Sequence, residues 1–213
     1  MRINKELYAF PWKSTMVNNC NSYFIDGDFK ILIDPGHNHL FRELQHSLES
    51  IGVQLEDINL VIVTHGHPDH IEAVKSFSGL KTMVAINEVE YRYFQKIASG
   101  NFDFTPDFFL LEGKLNAGEH DFEIIYTPGH SPGSICIYWP CYGALFSGDV
   151  VFEYSVGRTD LHGGDISLLK KSVQRLSSLN VELLLPGHGN IISGKREAEE
   201  NFSLIKRMYF NTL

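Results

Sequence analysis

Cysteine is scarce in this 213-residue chain, and its three copies form no recognisable metal or disulfide pattern. Cys20, Cys136 and Cys141 are odd in number, and no two of them make a CxxC pair. This spacing indicates neither a disulfide framework nor a zinc knuckle, and it fits a reducing compartment. We therefore expect a hydrophobic core, for which the chain is long enough, to hold the fold together.

Basic residues are also fewer than acidic ones, and this balance limits the kinds of partner that we expect the protein to bind. The chain has 18 Lys and Arg against 26 Asp and Glu, a net charge of −8. This balance argues against nucleic acid and anionic membrane surfaces and favours small-molecule substrates. The first residues include no apolar signal region, and no apolar run reaches the length of a membrane span. We expect a cytoplasmic protein that does not act at a membrane.

The densest feature is the segment 64–70, THGHPDH, which follows the apolar run 58–63. That run predicts a buried strand, and Pro68 favours a helix start at or after it. Residues two apart in an extended segment point the same way, so His65 and His67 can reach one cation together. Asp69 and His70 follow in the first helical turn, which aims them at a neighbouring position. The alternative, a group of solvated loop histidines, does not explain this density.

Alternation of strands and helices predicts the fold class. In the first half, we predict strands at 7–10, 21–25, 30–34, 58–63 and 81–86. From the strand at 30–34 onward, each strand is followed by a helix, at 40–51, after Pro68 and at 88–98. In the second half, strands at 119–126, 133–139, 142–147 and 182–185 precede or flank helices at 166–178 and from 195 onward. We predict an α/β chain with two mixed sheets packed face to face and helices outside. Nothing in the composition suggests a linker, so we expect a single domain over 1–213.

Residues 99–109 interrupt this rhythm, because they carry four phenylalanines in a predicted loop. Such a loop is a candidate for a substrate wall or for the contact of a homodimer. A loop that fills its own core is the plainer alternative.

Three later ligand candidates each follow a predicted strand beside a turn. His130 lies in TPGHSPGS, Asp149 ends SGD, and His188 lies in LPGHG. Glycines flank these positions and allow close backbone approach. We expect the three side chains to be exposed at strand ends.

Together, THGHPDH, TPGHSPGS, SGD and LPGHG resemble the metallo-β-lactamase-fold hydrolases. The resemblance implies an αββα sandwich with a metal site along one sheet edge. It also implies that Asp34, at a strand end, hydrogen-bonds a ligand histidine. The metal ligands that the resemblance implies are His65, His67 and His130 for one ion, Asp69, His70 and His188 for a second ion, and Asp149 as the bridge between them.

Within this group, the chain departs from the β-lactamases that use a cysteine at the position of Asp149. The loop 152–165 instead resembles the GRTD-containing loop of short bacterial glyoxalase II-like proteins and, less closely, that of persulfide dioxygenases. Arg158 and Asp160 in this loop could contact substrate, but an internal ion pair is the interpretation we favour.

The implied chemistry is metal-dependent hydrolysis. Imidazole and carboxylate ligands without thiolate suit two divalent ions, zinc first, with iron or manganese also compatible. Ions sharing Asp149 would lower the pKa of a bridging water and supply hydroxide, which Asp69 could orient. A thiol pKa of about 8.5 makes thiolate a good leaving group, so the leading hypothesis is a thioesterase of the hydroxyacylglutathione hydrolase type. Lys195 and Arg196 are the nearest candidates to bind glutathione, with a solvated helix start as the alternative.

Three other functions are compatible with the same candidate ligands. One is a persulfide dioxygenase whose single iron is held by His65, His67 or His130, and Asp149. Another is a metallo-hydrolase that acts on a different ester or on a lactone. The third is a metal-binding protein without catalysis, although seven ligand candidates exceed what a structural site needs.

Overall fold

The computed structural model describes residues 1–97 and 104–210, which form two compact units. The first unit contains Met1–Leu110 and Ala117–His120, and the second contains Leu111–Asn116 and Asp121–Leu213. The two large mixed sheets have six strands each. The predicted α/β class with two mixed sheets is confirmed.

The sheet of the first unit is antiparallel at one edge and parallel beyond it. Its strands are hydrogen-bonded in chain order, and the pairs change from antiparallel to parallel at the third strand. The third and fourth strands are buried along their whole length, as expected where apolar residues run without polar alternation. The strands are β1 (Leu7–Phe10), β2 (Ser22–Ile25), β3 (Ile31–Ile33), β4 (Leu60–Ile62), β5 (Met83–Asn87) and β6 (Phe108–Leu110).

Helices of the first unit connect its parallel strands. They are α1 (Phe41–Glu49), α2 (Pro68–Ile71) and α3 (Glu88–Ile97). In α1, Phe41, Leu44 and Leu48 are buried because their spacing puts them on one helix face. Pro68 takes the first position of α2, where a missing backbone N–H costs nothing. Short 3₁₀ turns cover Leu55–Asp57 and Glu72–Phe77.

The second unit is built on a sheet in which strand order departs from chain order. The tenth and thirteenth strands are parallel neighbours, whereas the ninth and tenth are antiparallel. The sheet order is β14 (Ile192–Ser193), β13 (Leu183–Pro186), β10 (Ala144–Gly148), β9 (Ile135–Trp139), β8 (His120–Tyr126) and β7 (Gly113–Ala117). A separate two-stranded hairpin consists of β11 (Val151–Phe152) and β12 (Ser155–Val156).

Two helices and a short 3₁₀ turn complete the second unit. They are α4 (Ile166–Leu176), α5 (Lys195–Ile205) and the 3₁₀ turn Pro140–Tyr142. The Asp165 side chain accepts hydrogen bonds from the backbone N–H groups of Ser167 and Leu168, so it caps the start of α4. After α5 the chain continues as a π-helical turn over Lys206–Phe210.

Two predicted segments need correction. Residues 99–103 of the predicted Phe-rich loop lie outside the described residues, but Phe108 and Phe109 belong to β6 rather than to a loop. This strand pairs in parallel with β5, a long-range contact that local sequence does not reveal. The short strands β7, β11, β12 and β14 were also not predicted. Among the described residues, no helix combines the length and the apolar character that crossing a membrane requires.

Candidate functional site

Four candidate metal ligands lie in the first unit, and we call them the first ligand set: His65, His67, Asp69 and His70. The chain leaves β4 in extended form and enters α2 at Pro68, as the sequence predicts. The ring centroids of His65 and His67 are 4.8 Å apart, and those of His65 and His70 are 4.1 Å apart. Asp69 and His70 also offer ligand atoms within 4.8 Å of each other. One short segment therefore gathers three imidazoles and a carboxylate.

Asp34 lies at the end of β3 and is the hydrogen-bonding centre of this set. Its carboxylate accepts hydrogen bonds from the backbone N–H and the hydroxyl of Thr64, at 2.8 and 2.7 Å. His70 Nδ1 lies 2.9 Å from Asp34 Oδ2, and both side chains are almost completely buried. A carboxylate acceptor places the His70 proton on Nδ1, so Nε2 is the nitrogen able to ligate a metal ion.

Thr64 extends the same orientation to His65. Because the Thr64 hydroxyl donates its proton to Asp34, its oxygen is an acceptor toward His65 Nδ1, 3.1 Å away. His65 then carries its proton on Nδ1, as His70 does. One buried carboxylate thus sets the protonated nitrogen of two histidines, one directly and one through a hydroxyl.

The backbone of Asp34 is itself held in an uncommon conformation. Its φ of 53° lies in the left-handed region, which aspartate tolerates better than most residues. Its N–H donates to Ile62 O at 3.0 Å, and its carbonyl accepts from the Ser22 hydroxyl at 2.6 Å. These bonds fix the position of the carboxylate, as expected where strain is retained at a functional position.

Two supporting residues of the first set were missed from the sequence. Asn18 Nδ2 donates to Asp69 Oδ2 at 2.6 Å, and the buried Glu90 accepts a hydrogen bond from the Gly66 N–H at 2.8 Å. At the start of the same helix, the Asn87 side chain accepts a hydrogen bond from the Val89 N–H. The signal that could have identified Glu90 is a carboxylate on the face of α3 that its apolar neighbour Phe94 marks as buried.

Three further candidate ligands lie in the second unit, and we call them the second ligand set: His130, Asp149 and His188. Asp149 follows β10 and His188 follows β13, and these strands are parallel neighbours, so both residues leave the sheet at the same edge. Asp149 Oδ2 lies 3.5 Å from His130 Nε2 and 3.4 Å from His188 Nε2. The carboxylate therefore lies next to both imidazoles, although the three residues are far apart in sequence.

A backbone carbonyl, not a carboxylate, orients His130. His130 Nδ1 lies 2.8 Å from the carbonyl oxygen of Arg158 and donates to it, which makes Nε2 the ligating nitrogen. Gly157 lets the loop approach this closely, because a Cβ at Gly157 would lie 1.8 Å from the Asp149 carbonyl oxygen and 3.0 Å from His130 Nδ1. The GRTD segment thus supports a ligand through its main chain.

The side chain of Arg158 forms the internal ion pair that the sequence favoured. Its Nε and Nη2 donate to the two carboxylate oxygens of Asp160 at 2.9 and 2.7 Å, in the fork geometry typical of this pair. This pairing lowers the pKa of Asp160 to about 2. Both side chains are about two-thirds exposed, so the pair shapes the loop without adding much stability.

Lys195 and Arg196 begin α5 and are exposed. Arg196 lines an open groove of about 1100 Å³ in the second unit and pairs with Glu197 at 3.0 Å. Glu153 also lines this groove, and the preceding ring of Phe152 lies 5.9 Å from that of His188. Glu153 follows Asp149 by four positions, and Ile191, which also lines the groove, follows His188 by three.

Both ligand sets have donors that fit a divalent metal ion. Each provides imidazole nitrogens and carboxylate oxygens without a thiolate, the chemistry that zinc, iron and manganese accept. The Nδ1 hydrogen bonds of His65, His70 and His130 leave Nε2 as the ligand atom in each case. The clusters thus support divalent metal binding.

Comparison with known families agrees with this chemistry. The sequence model of the metallo-beta-lactamase superfamily matches residues 15–188, a span that includes every proposed ligand. A probable metallo-hydrolase of Methanocaldococcus jannaschii is 35% identical over 80% of this chain and 88% of its own length. A hydroxyacylglutathione hydrolase of Francisella tularensis is 30% identical over 78% of this chain, but the match spans only 61% of that relative.

A solved structure is similar over nearly the whole chain. The protein TTHA1623, in a di-iron-bound form, has a TM-score of 0.74 and 28% identity, with 96% of this chain and 100% of that chain covered. The motifs, the family match and the fold therefore point to the same superfamily.

Proposed function

Because this chain belongs to the metallo-beta-lactamase superfamily of metallo-hydrolases and has its fold, we propose that it hydrolyses the thioester bond of a hydroxyacylated glutathione. The hydroxyacylglutathione hydrolase relative supports the substrate class. The chain covers less than two thirds of that relative, so the substrate is part of the proposal. The single domain over 1–213, the cytoplasmic location and a homodimer stay predictions.

The observation that carries the proposal is the position of Asp149 between two imidazoles. Asp149 Oδ2 lies near Nε2 of both His130 and His188, and a carboxylate has two oxygens, so Asp149 would be able to help hold more than one ion. We assign His65, His67 and His130 to one ion and Asp69, His70 and His188 to the other. Zinc is the leading candidate, and the di-iron form of TTHA1623 supports iron as the second. When bound, the ions would supply a hydroxide nucleophile near neutral pH and polarise the thioester carbonyl.

The protein's own groups orient this chemistry. Asp34 and Thr64 hold the imidazoles of His65 and His70 in the tautomer with the proton on Nδ1, so no proton has to move before they ligate. Asn18 holds the Asp69 carboxylate by Oδ2, which fixes its orientation for positioning the attacking water. The leaving thiolate needs no strong acid from the protein, because its conjugate thiol has a pKa of about 8.5.

We propose that the groove lined by Arg196 binds the polar tail of glutathione. It is lined by basic residues, among them Arg196 and Arg207, and by acidic residues that include Glu153 and Glu200. Glutathione carries two carboxylates and one ammonium, so a groove with both signs of charge can pair with all three. We propose that Arg196 binds a glutathione carboxylate, for which it exchanges its weak exposed ion pair with Glu197.

The first experiment separates hydrolysis from oxidation. Purified protein is analysed for bound metals and assayed for anaerobic hydrolysis of S-lactoylglutathione and for oxygen uptake with glutathione persulfide. We expect about two metal ions per chain and thioester cleavage without oxygen. One iron per chain with persulfide-dependent oxygen uptake and no cleavage would replace the proposal with the dioxygenase alternative. Hydrolysis of lactones or simple esters alone would remove the glutathione part.

The second experiment tests the groove. Arg196→Ala should raise KM for S-lactoylglutathione about tenfold, the effect of losing one charged contact of about 1.4 kcal/mol. It should leave a small acyl thioester without the tripeptide unaffected. Arg92→Ala is the matched control, because Arg92 forms a similar exposed ion pair with Glu88 on α3. Equal KM changes for both substrates would contradict a role for Arg196 in binding the tripeptide.

A further inference from the structure

A second histidine and carboxylate cluster lies in the first unit outside the proposed ligands. His37 and His39 follow β3, and Glu72 directly follows α2. His37 Nδ1 lies 2.8 Å from Glu72 Oε2, and the rings of His37 and His39 have centroids 5.0 Å apart. One ligand atom from each of the three residues lies within 4.8 Å of the other two. We propose that His37, His39 and Glu72 bind a further divalent transition-metal ion.

The backbone beneath this cluster is fixed by long-range hydrogen bonds. The Gly36 N–H donates to His70 O at 3.2 Å, and the Ala73 N–H donates to Gly36 O at 2.9 Å. The His37 N–H donates to Asn19 Oδ1 at 2.8 Å. These bonds hold the loop that carries the histidines against the turn that carries Glu72. The ligands are therefore placed before an ion arrives, which lowers the entropic cost of binding it.

Gly36 is needed for this arrangement. Its φ of +88° lies in the left-handed region, and a Cβ there would lie 2.7 Å from Asn19 Oδ1. A side chain at this position would be strained and would push against the acceptor of the His37 N–H. The close approach that this glycine permits is what brings His37 next to Glu72.

The ligand chemistry selects the class of ion. Two imidazoles and one carboxylate form a ligand set that zinc accepts at about 2.0–2.2 Å, with a position left open for water. The order of affinities for nitrogen and oxygen ligands places copper(II) above zinc and zinc above manganese. His39 and Glu72 are exposed, so their side chains can close around an ion that enters from solvent. An ion held by His37 and Glu72 replaces the hydrogen bond between them.

Metal stoichiometry tests this site against a matched control. Wild-type protein, His39→Ala and His46→Ala are equilibrated with Zn²⁺, and the bound metal per chain is measured by mass spectrometry and by calorimetric titration. His46 is an exposed histidine on α1 and controls for loss of any surface imidazole. We expect His39→Ala to bind one equivalent fewer than wild type and His46→Ala to bind the same number. Equal binding by all three proteins, or an equal loss in both variants, would overturn the proposal.

A second variant makes the result independent of any folding defect. Glu72→Gln keeps the shape of the side chain and removes its charge, so it should weaken Zn²⁺ binding at this site about tenfold or more. Circular dichroism should be unchanged. Because the readout is a difference in equivalents, it holds whether or not the proposed thioesterase activity is found.

Discussion

The two ligand sets are built in different ways. The first takes all four residues from the segment 64–70 and orients two of them, His65 and His70, through one buried carboxylate, Asp34. The second takes one residue from each of three distant segments and orients His130 through the backbone carbonyl of Arg158. A compact motif is visible in the sequence by itself, whereas a dispersed set depends on which strands become neighbours. Similar candidate ligands are thus oriented by a charged side chain in the first unit and by a backbone carbonyl in the second.

This difference predicts which changes harm each set. Removing a charge should disturb the first set, because its histidines depend on the Asp34 carboxylate. Displacing the backbone should disturb the second set, because its histidine depends on a carbonyl group held by the close approach at Gly157.

Replacing Asp149 by Ala should have the largest effect. Its carboxylate lies within 3.5 Å of His130 and 3.4 Å of His188, so its loss removes a ligand and leaves both imidazoles without their acidic neighbour. We expect at least a ~100-fold fall in thioester hydrolysis and a loss of bound metal, with the fold retained. Metal analysis and circular dichroism check this. Asp121→Ala, at an exposed position of β8, is the control, and full activity with full metal content in Asp149→Ala would contradict the assignment.

Asp34→Asn should have the next largest effect. Asparagine keeps the size of the side chain but presents an NH₂ group where the aspartate accepts two protons from side chains. We expect metal affinity to fall about 10- to 100-fold. Affinity is measured by competition with a chelator. Asp57→Asn makes the same change in an exposed 3₁₀ turn and should leave affinity unaltered, and an equal effect of the two changes would show that Asp34 has no special role.

Alanine at Gly157 and Gly66 compares the two sets directly. A Cβ at Gly157 meets the backbone carbonyl of Asp149 at 1.8 Å, whereas one at Gly66 meets the ring of Phe94 at 2.4 Å. A ring can move and a strand-end backbone cannot, so Gly157→Ala should reduce metal affinity more than Gly66→Ala. Both should lose about 1–3 kcal/mol of stability from overpacking. Phe94→Leu should partly rescue Gly66→Ala, and equal losses of affinity without rescue would contradict this explanation.

Arg158→Ala should have the smallest effect on the metal site. The variant keeps the backbone carbonyl that accepts from His130, so metal affinity should not change. It removes the partner that lowers the pKa of Asp160 to about 2, so this pKa should rise toward 3.8. A lowered folded-state pKa contributes stability that is present above the unfolded value and is lost as pH falls toward 2. Carboxyl NMR titration checks the shift, and an unchanged Asp160 titration would contradict the ion pair.

The parts of the fold that sequence predicted are those with strong local signals. The limits of β1 were predicted as observed, and α1, α3 and α4 were predicted to within a few residues. The edge strand β6 was missed because its phenylalanines look like a loop until β5 provides its hydrogen-bonding partner. Among the supporting residues, Asn18 and Glu90 were missed because their partners lie 51 and 24 positions away. Contacts between residues so far apart leave no periodicity or regular spacing in the sequence.

Local sequence was enough to identify the candidate ligand types, the superfamily motifs and the helices α1, α3 and α4, because each depends on residues close together in the chain. The tertiary fold selects the nitrogen of His65, His70 and His130 that can bind metal, since that depends on acceptors such as Asp34 and the Arg158 carbonyl. It also brought His37 and His39 to Glu72 across a separation of more than thirty positions. Hydrogen-bond partners of this kind are selected only when distant segments meet.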